Sequence, residues 1–393
     1  MSVRINGTTG VTTPNLTATT KVTTADLANT GNYNGGQLGN RNIIINGEFD
    51  IDQRGLASST AFQAGAHFVT DRWSYYINSG AFATFSANHE ISDEAPSGFT
   101  KSLKVTCTSG GSIPATGEVI YRQKIEGYNI KRLGYGTSSA KSLTLSFWIK
   151  ASVTGDYGVQ LIYEADDSTD KYYVSKYTVN SANTWEYKTI TIPPNTADAF
   201  KYTTTGLGAQ IYWDLGEGST YSGTADSGWT NTYYNGLSGG VKLMENTGAT
   251  WQKTGVQLEV GDTATPFEHR SYGDELAKCQ RYYFAFINAG LAGETWVTTA
   301  ACYNTTNAYG GVRFPVTMRT IPTLIQYSGT DVWQLYNANG SDRFDSFTMF
   351  GSPQSSLTAA MIYNTDTISI TAGHSGNFQG GNNACYLHFD ADL

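Results

Sequence analysis

Charge is the first thing this sequence of 393 residues is short of, since only 15% of its residues are Asp, Glu, Lys or Arg. An average soluble domain has about 25%. The formal net charge is −8, and the basic residues neither cluster nor form a stripe. Because binding to phosphates requires clustered Lys and Arg, we expect no nucleic-acid partner.

Long apolar runs are also missing. No stretch approaches the roughly 20 apolar residues of a membrane span, and the opening residues MSVRINGTTG lack the apolar core of a secretory signal. We therefore expect that the chain does not insert into a membrane. We also expect that it folds in the cytoplasm, where it is made.

Cysteine is scarce, and the four that occur are far apart: Cys107, Cys279, Cys302 and Cys385. No pair has the close spacing of a zinc site, and the five histidines are equally dispersed. We predict reduced, buried thiols, no bound metal and no other cofactor.

Catalytic signatures are absent as well. The sequence has no nucleophile elbow, no phosphate loop and no dinucleotide fingerprint. Hydrolysis of a glycoside needs two carboxylates that face one bond. Neither Asp214 with Glu217 nor the acidic group at residues 164–170 has a sequence context typical of such a pair, so the chain is predicted not to be an enzyme.

Glycine (43 residues) and tyrosine (26 residues) are plentiful, together with uncharged Ser, Thr and Asn. This mixture favours twisted sheets joined by turns, and it disfavours helical bundles rich in Ala, Leu, Glu and Lys. The predicted fold is all-β, with an extended N-terminal arm, a large β-sandwich of the jelly-roll kind, a short linking helix and a smaller C-terminal β-sandwich.

The arm comprises residues 1–41, which are rich in Thr, Asn and Gly and poor in large apolar groups. Such a segment is extended or disordered when free, although Thr and Val favour strand pairing with a partner. From the residues alone, an attachment arm and a floppy tail remain equal alternatives.

The body, residues 42–270, shows roughly nine short β-like runs separated by turns, which suggests a sandwich. Residues 143–149 alternate as an inner strand does. A first strand at residues 42–45 is expected to meet a closing strand at residues 256–260.

A helix is predicted for residues 271–284. Ser271 suits its N-cap, Asp274 and Glu275 suit its first turn, and Leu276 and Cys279 begin an apolar stripe that continues to Tyr283. Residues 285–393 again show strand-like runs, one of them at residues 367–371, and form the predicted C-terminal sandwich.

Sugar binding requires an exposed aromatic face and a few amide or carboxylate partners. Three groups have that composition: Tyr212, Trp213 and Asp214; Trp229, Tyr233 and Tyr234; and Trp333 with Tyr336. These are the candidate glycan-binding residues. The alternative is that the aromatic residues fill sandwich cores or pair between subunits.

One nearly continuous run, residues 251–284, joins the two sandwiches and reads WQKTGVQLEVGDTATPFEHRSYGDELAKCQRYYF. Two further stretches accompany it: NIIINGEFD at residues 42–50, with Gln53-Arg54-Gly55 and Asp71-Arg72-Trp73 after it, and GVRFPVTMRTIP at residues 311–322. Together they resemble segments common in tail-fibre and other virion surface proteins of tailed bacteriophages.

The body also resembles the jelly-roll carbohydrate-binding modules of polysaccharide-degrading enzymes. The residues that carry this resemblance are Asn46-Gly47-Glu48-Phe49, Leu145-Ser146-Phe147-Trp148, Trp185-Glu186-Tyr187 and Val256-Gln257-Leu258. In that family an early acidic residue and an Asp before the closing strand hold calcium. Glu48 fits the first role, but Lys253-Thr254-Gly255 stands where the Asp would be, so no metal is predicted.

The phage resemblance implies a virion structural protein: a tail fibre or receptor-binding fibre that adheres to the host surface, with a host glycan as a possible ligand. It further implies a homotrimer, attachment to other virion proteins through residues 1–41, and a location in the virion. One alternative is a capsid-surface fibre or decoration protein. The other is a glycan-binding module of a cellular protein.

Overall fold

Strands dominate the computed structural model of the chain, which describes residues 39–56, 58–288, 295–338, 340–381 and 384–393. The strands in the body are β1 (Thr60–Ala61), β2 (Gly65–Thr70), β3 (Trp73–Ile77), β4 (Ser86–Ser92), β5 (Ser102–Ser109), β6 (Val119–Glu126), β7 (Leu143–Ala151), β8 (Gly155–Glu164), β9 (Asp170–Val179), β10 (Glu186–Ile192), β11 (Leu207–Asp214), β12 (Ser222–Gly223), β13 (Gly236–Leu237) and β14 (Thr250–Val260). Those after it are β15 (Tyr283–Ile287), β16 (Trp296–Cys302), β17 (Ala308–Arg313), β18 (Thr323–Gln326), β19 (Trp333–Asn337), β20 (Gly340–Phe344), β21 (Phe347–Met349), β22 (Ala359–Asn364), β23 (Ser375–Gly380) and β24 (Leu387–Asp390).

Helices are few and short in the part of the chain that the structure describes. There they are α1 (Ser79–Phe82), α2 (Gly127–Ile130) and α3 (Tyr272–Gln280), with 3-10 turns at Lys131–Leu133, Ser219–Tyr221 and Leu243–Glu245. Within the described ranges, no helix has the length and apolar character needed to cross a membrane. The predicted all-β class with a short helix is confirmed.

Two six-stranded antiparallel sheets form the body. The first has the order β1-β4-β5-β14-β7-β10 and the second the order β2-β3-β6-β11-β8-β9. Their inward side chains form one large core, in which Trp73, Tyr121, Phe147, Trp213 and Trp251 are completely buried. The alternation that places every second side chain in this core produces the predicted sandwich.

A second core lies beyond α3. A seven-stranded sheet of order β20-β19-β23-β16-β17-β22-β21 and a three-stranded sheet of order β15-β24-β18 supply its side chains. Trp333, Phe344, Phe378, Leu387 and Phe389 are among the buried members. We refer to this part, residues 285–393, as the C-terminal unit.

The predicted first strand at residues 42–45 is wrong as a strand, although the expected contact with the closing strand exists. Ile43 N donates to Leu258 O at 2.8 Å. The Asn42 side chain takes over the rest of the pairing, because its Nδ2 donates to Val256 O at 3.0 Å and its Oδ1 accepts from Leu258 N at 3.1 Å. A side-chain amide here replaces a backbone ladder.

Gly47 follows this segment and permits a close backbone approach. A Cβ at this position would meet Val256 O at 2.3 Å, and Val256 N donates to Gly47 O at 3.0 Å. Only glycine fits this close to the backbone of β14.

The linking helix is shorter than predicted. Ser271 caps it as expected, its Oγ accepting from Asp274 N at 3.2 Å. The helix ends at Gln280 instead of residue 284, because Tyr283 already pairs with Asp390 in the β15 to β24 ladder. Cys279 is buried, whereas Tyr283 belongs to a strand.

The predicted strand at residues 367–371 is also wrong. Ile368 and Ile370 are buried, but their N–H groups donate to Thr306 O and Thr305 O, at 3.3 and 3.1 Å. The alternating apolar residues here pack against a loop. Alternation in the sequence does not distinguish such an extended segment from a strand in a sheet.

Charged side chains join the two cores at a junction. Arg54 Nη2 lies 2.9 Å from Asp392 Oδ2, and the Arg72 guanidinium binds the other oxygen of the same carboxylate. Arg72 also covers the Tyr282 ring at 3.6 Å, and Arg54 covers the Tyr283 ring at 3.7 Å. Body arginines thus hold the last residues of the C-terminal unit.

More links cross the same junction. Arg281 forms two contacts with Glu126, at 2.6 and 2.9 Å, and Tyr282 donates to the same carboxylate at 2.7 Å. Arg319 donates to Ala391 O at 2.7 Å and, on the body side, to Thr205 O at 2.8 Å.

The predicted arm, residues 1–41, lies outside the described residues except at its end. There Arg41 N donates to Glu268 Oε1 at 3.2 Å, and Arg132 donates to Asn40 O at 3.3 Å. The four cysteines named above are buried and form no disulfide.

Candidate functional site

Two pairs of predicted sugar-binding residues each lie on one strand, with one member on either face of its sheet: Tyr212 with Trp213, and Trp333 with Tyr336. Adjacent strand residues face opposite ways, and so do residues three apart. Trp213 is therefore in the core while Tyr212 faces outward, and Trp333 is in the core while Tyr336 faces outward.

Trp213 and Trp333 are completely buried, which corrects the prediction that they offer a face to a sugar. Trp213 packs against Trp73 at 5.5 Å between ring centroids. Trp333 packs against Phe347 at 5.0 Å, and its Nε1 donates to Tyr327 O at 3.2 Å. Both are core residues.

Tyr212 is buried, whereas Trp229 and Tyr234 are partly covered by neighbouring groups. Tyr212 is only 6% exposed. Trp229 is half-buried against Tyr163, and its Nε1 donates to Pro193 O at 3.1 Å. Tyr234 is half-buried, and its ring covers Gly223 so closely that a Cβ there would lie 2.6 Å from it.

Tyr233 keeps an open face in the body, with 44% of the residue exposed. Its hydroxyl donates to Glu118 Oε1 at 2.6 Å, and Asn235 Nδ2 donates to the same oxygen at 2.8 Å. The ring is therefore held at a fixed angle against Tyr172, at a centroid distance of 5.6 Å.

A group of three carboxylates lies beneath this loop. Glu118, Asp214 and Glu217 are each at most 6% exposed. Asp214 accepts the N–H groups of Gly216 at 2.8 Å and Leu237 at 2.9 Å, and Glu217 Oε1 accepts Val119 N–H at 3.1 Å. The end of β11 and the start of β6 bring the three together.

The low polarity of this location disfavours the charged forms. Burial raises the pKa of Asp214 to about 6 against three opposing backbone hydrogen bonds. Burial, and then the nearby Asp214 and Glu118, raise the pKa of Glu217 well above its usual value. Neither Asp214 nor Glu217 reaches solvent, so neither is positioned to meet a glycosidic bond.

The position at which the carbohydrate-binding resemblance would require an Asp holds a buried lysine. Lys253 Nζ lies 3.3 Å from the Trp213 ring centroid and 4.0 Å from that of Trp73. Burial lowers the pKa of Lys253 well below its usual value. Glu48 instead meets His269 Nδ1 at 3.0 Å. Among the residues described, no three Asp, Glu, His or Cys side chains have the spacing of a metal cluster.

A groove on the outer face of the seven-stranded sheet surrounds Tyr336. It has a volume of about 600 Å³ and is lined by Thr299, Tyr336, Asn337, Gly340, Ser375 and Asn377. Tyr336 is 52% exposed and lies opposite Asn377 in the ladder. An aromatic face beside amides and hydroxyls suits the C–H groups and hydroxyls of a sugar ring.

Sequence reasoning missed Trp296, which lies on the same face and is 60% exposed. Trp296 and Gln334 both lie opposite Gln379, and Gln334 Nε2 donates to Gln379 Oε1 at 3.1 Å. The sequence did contain a signal for this exposure. Neighbouring residues of a strand face opposite ways, so if the apolar Val297 enters the core, Trp296 must face outward. We name Tyr336, Trp296, Asn377 and the groove residues the outer-face site.

The comparisons with known proteins come from structure alone, since neither the family models nor the curated proteins gave a match. One solved structure, described as "CBM4 structure and function", is 16% identical, with a TM-score of 0.27, over 55% of this chain and 97% of that chain. The CBM22-1 xylan-binding domain from Paenibacillus barcinonensis Xyn10C is 9% identical, with a TM-score of 0.27, over 53% and 96%.

A third solved structure is the enzymatically active domain of tailspike protein 4 from Bacteriophage CBA120. It is 12% identical, with a TM-score of 0.28, and the match covers 56% of this chain. This chain spans only 21% of the tailspike chain. At such TM-scores, none of these matches carries an argument about what the chain binds.

Proposed function

We propose that this chain is a structural adhesion protein of a tailed-bacteriophage virion, a tail fibre or receptor-binding fibre that binds a host-surface glycan at the outer-face site. One observation carries the glycan part. The half-exposed Tyr336 lines a groove whose other walls are mostly amides, hydroxyls and glycine, with one alanine, Ala338. That composition recognises a sugar ring better than it recognises an apolar or charged ligand.

The virion part is supported by where the resembling stretches lie. Arg54 and Arg72 follow the stretch at residues 42–50, within the segments that accompany it. Arg281 belongs to the run at residues 251–284, and Arg319 to the stretch at residues 311–322. All four are in the junction, where they hold the C-terminal unit to the body. A rigid connection suits a fibre that presents one end to a surface while the other end is attached.

Attachment is assigned to residues 1–41. Their Thr-rich composition supports ordering by strand pairing on another virion protein. Ordering costs about 1–2 kcal/mol per residue, so the segment should order only where a partner supplies hydrogen bonds. Removal of residues 1–41 should leave the melting temperature near that of the full chain and prevent incorporation into particles. Incorporation of the shortened chain would contradict this assignment.

We also propose a homotrimer. Tyr303 is 68% exposed and stacks on Tyr309 at 4.8 Å, and Tyr309 contacts Phe350 and Tyr363 at 5.4 and 5.7 Å. An exposed aromatic group of this size is suited to subunit contact. Native mass measurement at micromolar concentration should give three chains, and a stable monomer would rule out the trimer.

Function by binding, without catalysis, completes the proposal. The experiment is a titration of the full chain with polysaccharide purified from the host surface, followed by calorimetry. Binding is expected, with no release of reducing ends. Tyr336→Ala should lower the affinity about tenfold, the value of one aromatic contact.

Tyr272→Ala is the matched control, because Tyr272 is 65% exposed but lies on α3, away from the groove. It should bind as the unchanged chain does. Equal affinities of the Tyr336 variant and the control would contradict a site at Tyr336. A capsid decoration protein would show no binding to host polysaccharide at all.

A further inference from the structure

Trp296 belongs to the outer-face site and lies beside the groove that Tyr336 lines. All eight tryptophans of the chain are in the described ranges, and Trp296 is the one whose side chain is mostly exposed, at 60%. One exposed aromatic ring on a surface needs no special explanation. Two exposed rings on one sheet face are different, because both can contact the same ligand.

Strand register fixes how far apart the two rings are. Tyr336 lies opposite Asn377 on β23, and Gln379, two residues further along β23, lies opposite Trp296 on β16. Trp296 is therefore two strands away from Tyr336 and one row of outward side chains further along. With strands about 4.8 Å apart and a rise of about 3.4 Å per residue, the two Cα atoms are about 12 Å apart.

The outward side chains between the two rings are polar and uncharged. Thr299 Oγ1 donates to Asn377 Oδ1 at 3.4 Å, which leaves Thr299 Oγ1 as an acceptor and Asn377 Nδ2 as a donor. Gln334 and Gln379 are only 4% and 3% exposed and bond to each other, so they form a floor and do not contact a ligand. Sugar hydroxyls can bond to Asn377 and Thr299 without breaking an ion pair.

A single sugar ring cannot cover both aromatic rings. Rings in direct contact have centroids about 4.5–7 Å apart, and the separation of Tyr336 and Trp296 is larger than that. A ligand that stacks on both residues must therefore contain two sugar rings joined through at least one further unit.

We propose that the outer-face site binds an extended oligosaccharide of three or more linked sugars, with one sugar stacked on Tyr336 and another on Trp296. The sugars between them bond to Asn377 and Thr299. This inference rests on the proposed function and narrows its ligand class: the chain recognises an interior stretch of a polysaccharide, in which a terminal sugar alone is insufficient.

The test uses the full chain and fragments of the purified host-surface polysaccharide, sorted by length after partial hydrolysis. In calorimetry, the affinity of the unchanged chain should rise about tenfold once fragments reach three or more sugars, the value of one added aromatic contact. Trp296→Ala should lack this step and bind fragments of one or two sugars as the unchanged chain does. Tyr336→Ala should weaken the binding of every fragment about tenfold.

Two variants serve as controls. Trp296→Phe keeps an aromatic ring and should retain most of the step in affinity. Tyr272→Ala, which removes an exposed ring on α3, should bind every fragment as the unchanged chain does.

Quenching of tryptophan fluorescence by acrylamide gives a second readout. Trp296 is the tryptophan most open to the quencher, so fragments of three or more sugars should protect part of the fluorescence, and shorter fragments should not. Trp296→Phe should lose this protected part.

The results separate this inference from the proposed function. An affinity that does not depend on fragment length, or an equal effect of Trp296→Ala on short and long fragments, would overturn the extended site. If Tyr336→Ala still weakens binding in that case, the proposed glycan site itself stands. Absence of binding by every fragment would contradict both. A native mass that falls to one chain in Trp296→Ala would assign Trp296 to a subunit contact and would also overturn the extended site.

Discussion

The junction and the body core both bury ionisable side chains, but they do so in opposite ways. At the junction, Arg72 meets Asp392 and Arg281 meets Glu126. In the core, the Lys253 ammonium and His89 Nδ1 have no hydrogen-bond partner among the described residues. The same kind of group is therefore paired in one region and surrounded by aromatic rings in the other.

This difference determines what a substitution should do. Removing one member of a buried ion pair leaves the other charge without compensation and is strongly destabilising. Removing an unpaired buried charge takes away a desolvation cost that nothing offsets in full. Substitutions at the junction should therefore lower stability, and matched substitutions in the core should raise it.

The largest effect is expected for Asp392→Asn. It leaves Arg72 without its carboxylate partner and leaves Arg54 with its longer ion pair to Asp390, at 3.5 Å. The free energy of unfolding should fall by about 3–5 kcal/mol in chemical denaturation. Asp93→Asn, which removes an exposed pair with Lys101, should change it by less than about 1 kcal/mol. A loss for Asp392→Asn as small as that expected for Asp93→Asn would show that the junction adds little to stability.

The second effect is a pH dependence of the free energy of unfolding, which arises from His89 in the body core. Burial among Phe62 and Tyr75, with His67 near, lowers the pKa of His89 to about 4 from 6.5. The unfolded chain takes up this proton below pH 6.5, while the folded chain does so only near pH 4. Stability is therefore lost as the pH falls through this window, by about 3 kcal/mol.

Unfolding curves between pH 7 and pH 4 check this, with His89→Gln as the comparison. The gap in stability between the two chains should change by about 3 kcal/mol across that range. A constant gap would mean that His89 titrates normally in the folded state.

The third effect is a gain. Lys253→Met should raise the free energy of unfolding at pH 7 by about 1–3 kcal/mol, because the cost of burying the ammonium exceeds the cation–π attraction of about 2 kcal/mol. Because burial lowers the pKa of Lys253 in the folded state, the advantage of Met should shrink as the pH rises towards about 10.4, the pKa of a free lysine.

Lys101→Met is the control, since 40% of that side chain is exposed; it should have little effect at any pH. A loss of stability in Lys253→Met would show that the aromatic rings more than offset the burial of the charge.

The smallest effect on stability is expected outside both regions. Tyr336→Ala removes a half-exposed ring from the outer-face site and should change the free energy of unfolding by less than about 0.5 kcal/mol. Binding of host polysaccharide should fall about tenfold in the same variant. A large loss of stability would mean that Tyr336 acts as a core residue.

Much of the fold could be predicted from the alternation of apolar residues in strands and from the residues that cap the helix. The inner strand at residues 143–149 lies within β7, and Ser271 caps α3. The first strand could not be predicted correctly, because an Asn42 side chain replaces the ladder there. The end of α3 depended on Asp390, a partner more than a hundred residues away.

The site was harder to predict for a physical reason. Aromatic composition identified Trp213 and Tyr336 equally, but only strand register decides which one faces solvent. Trp296 was passed over, although its position beside Val297 predicts one outward ring. Composition also could not predict that Asp214, Glu217 and Glu118 would meet, because loops and separate strands bring them together.

Electron microscopy of intact phage particles with gold-labelled antibodies against the C-terminal unit tests directly whether the chain is a virion adhesion protein. We expect label at the outer ends of fibres, and loss of label from particles made with a chain that lacks residues 1–41. Particles without label, or label only on uninfected cells, would contradict a virion adhesion protein.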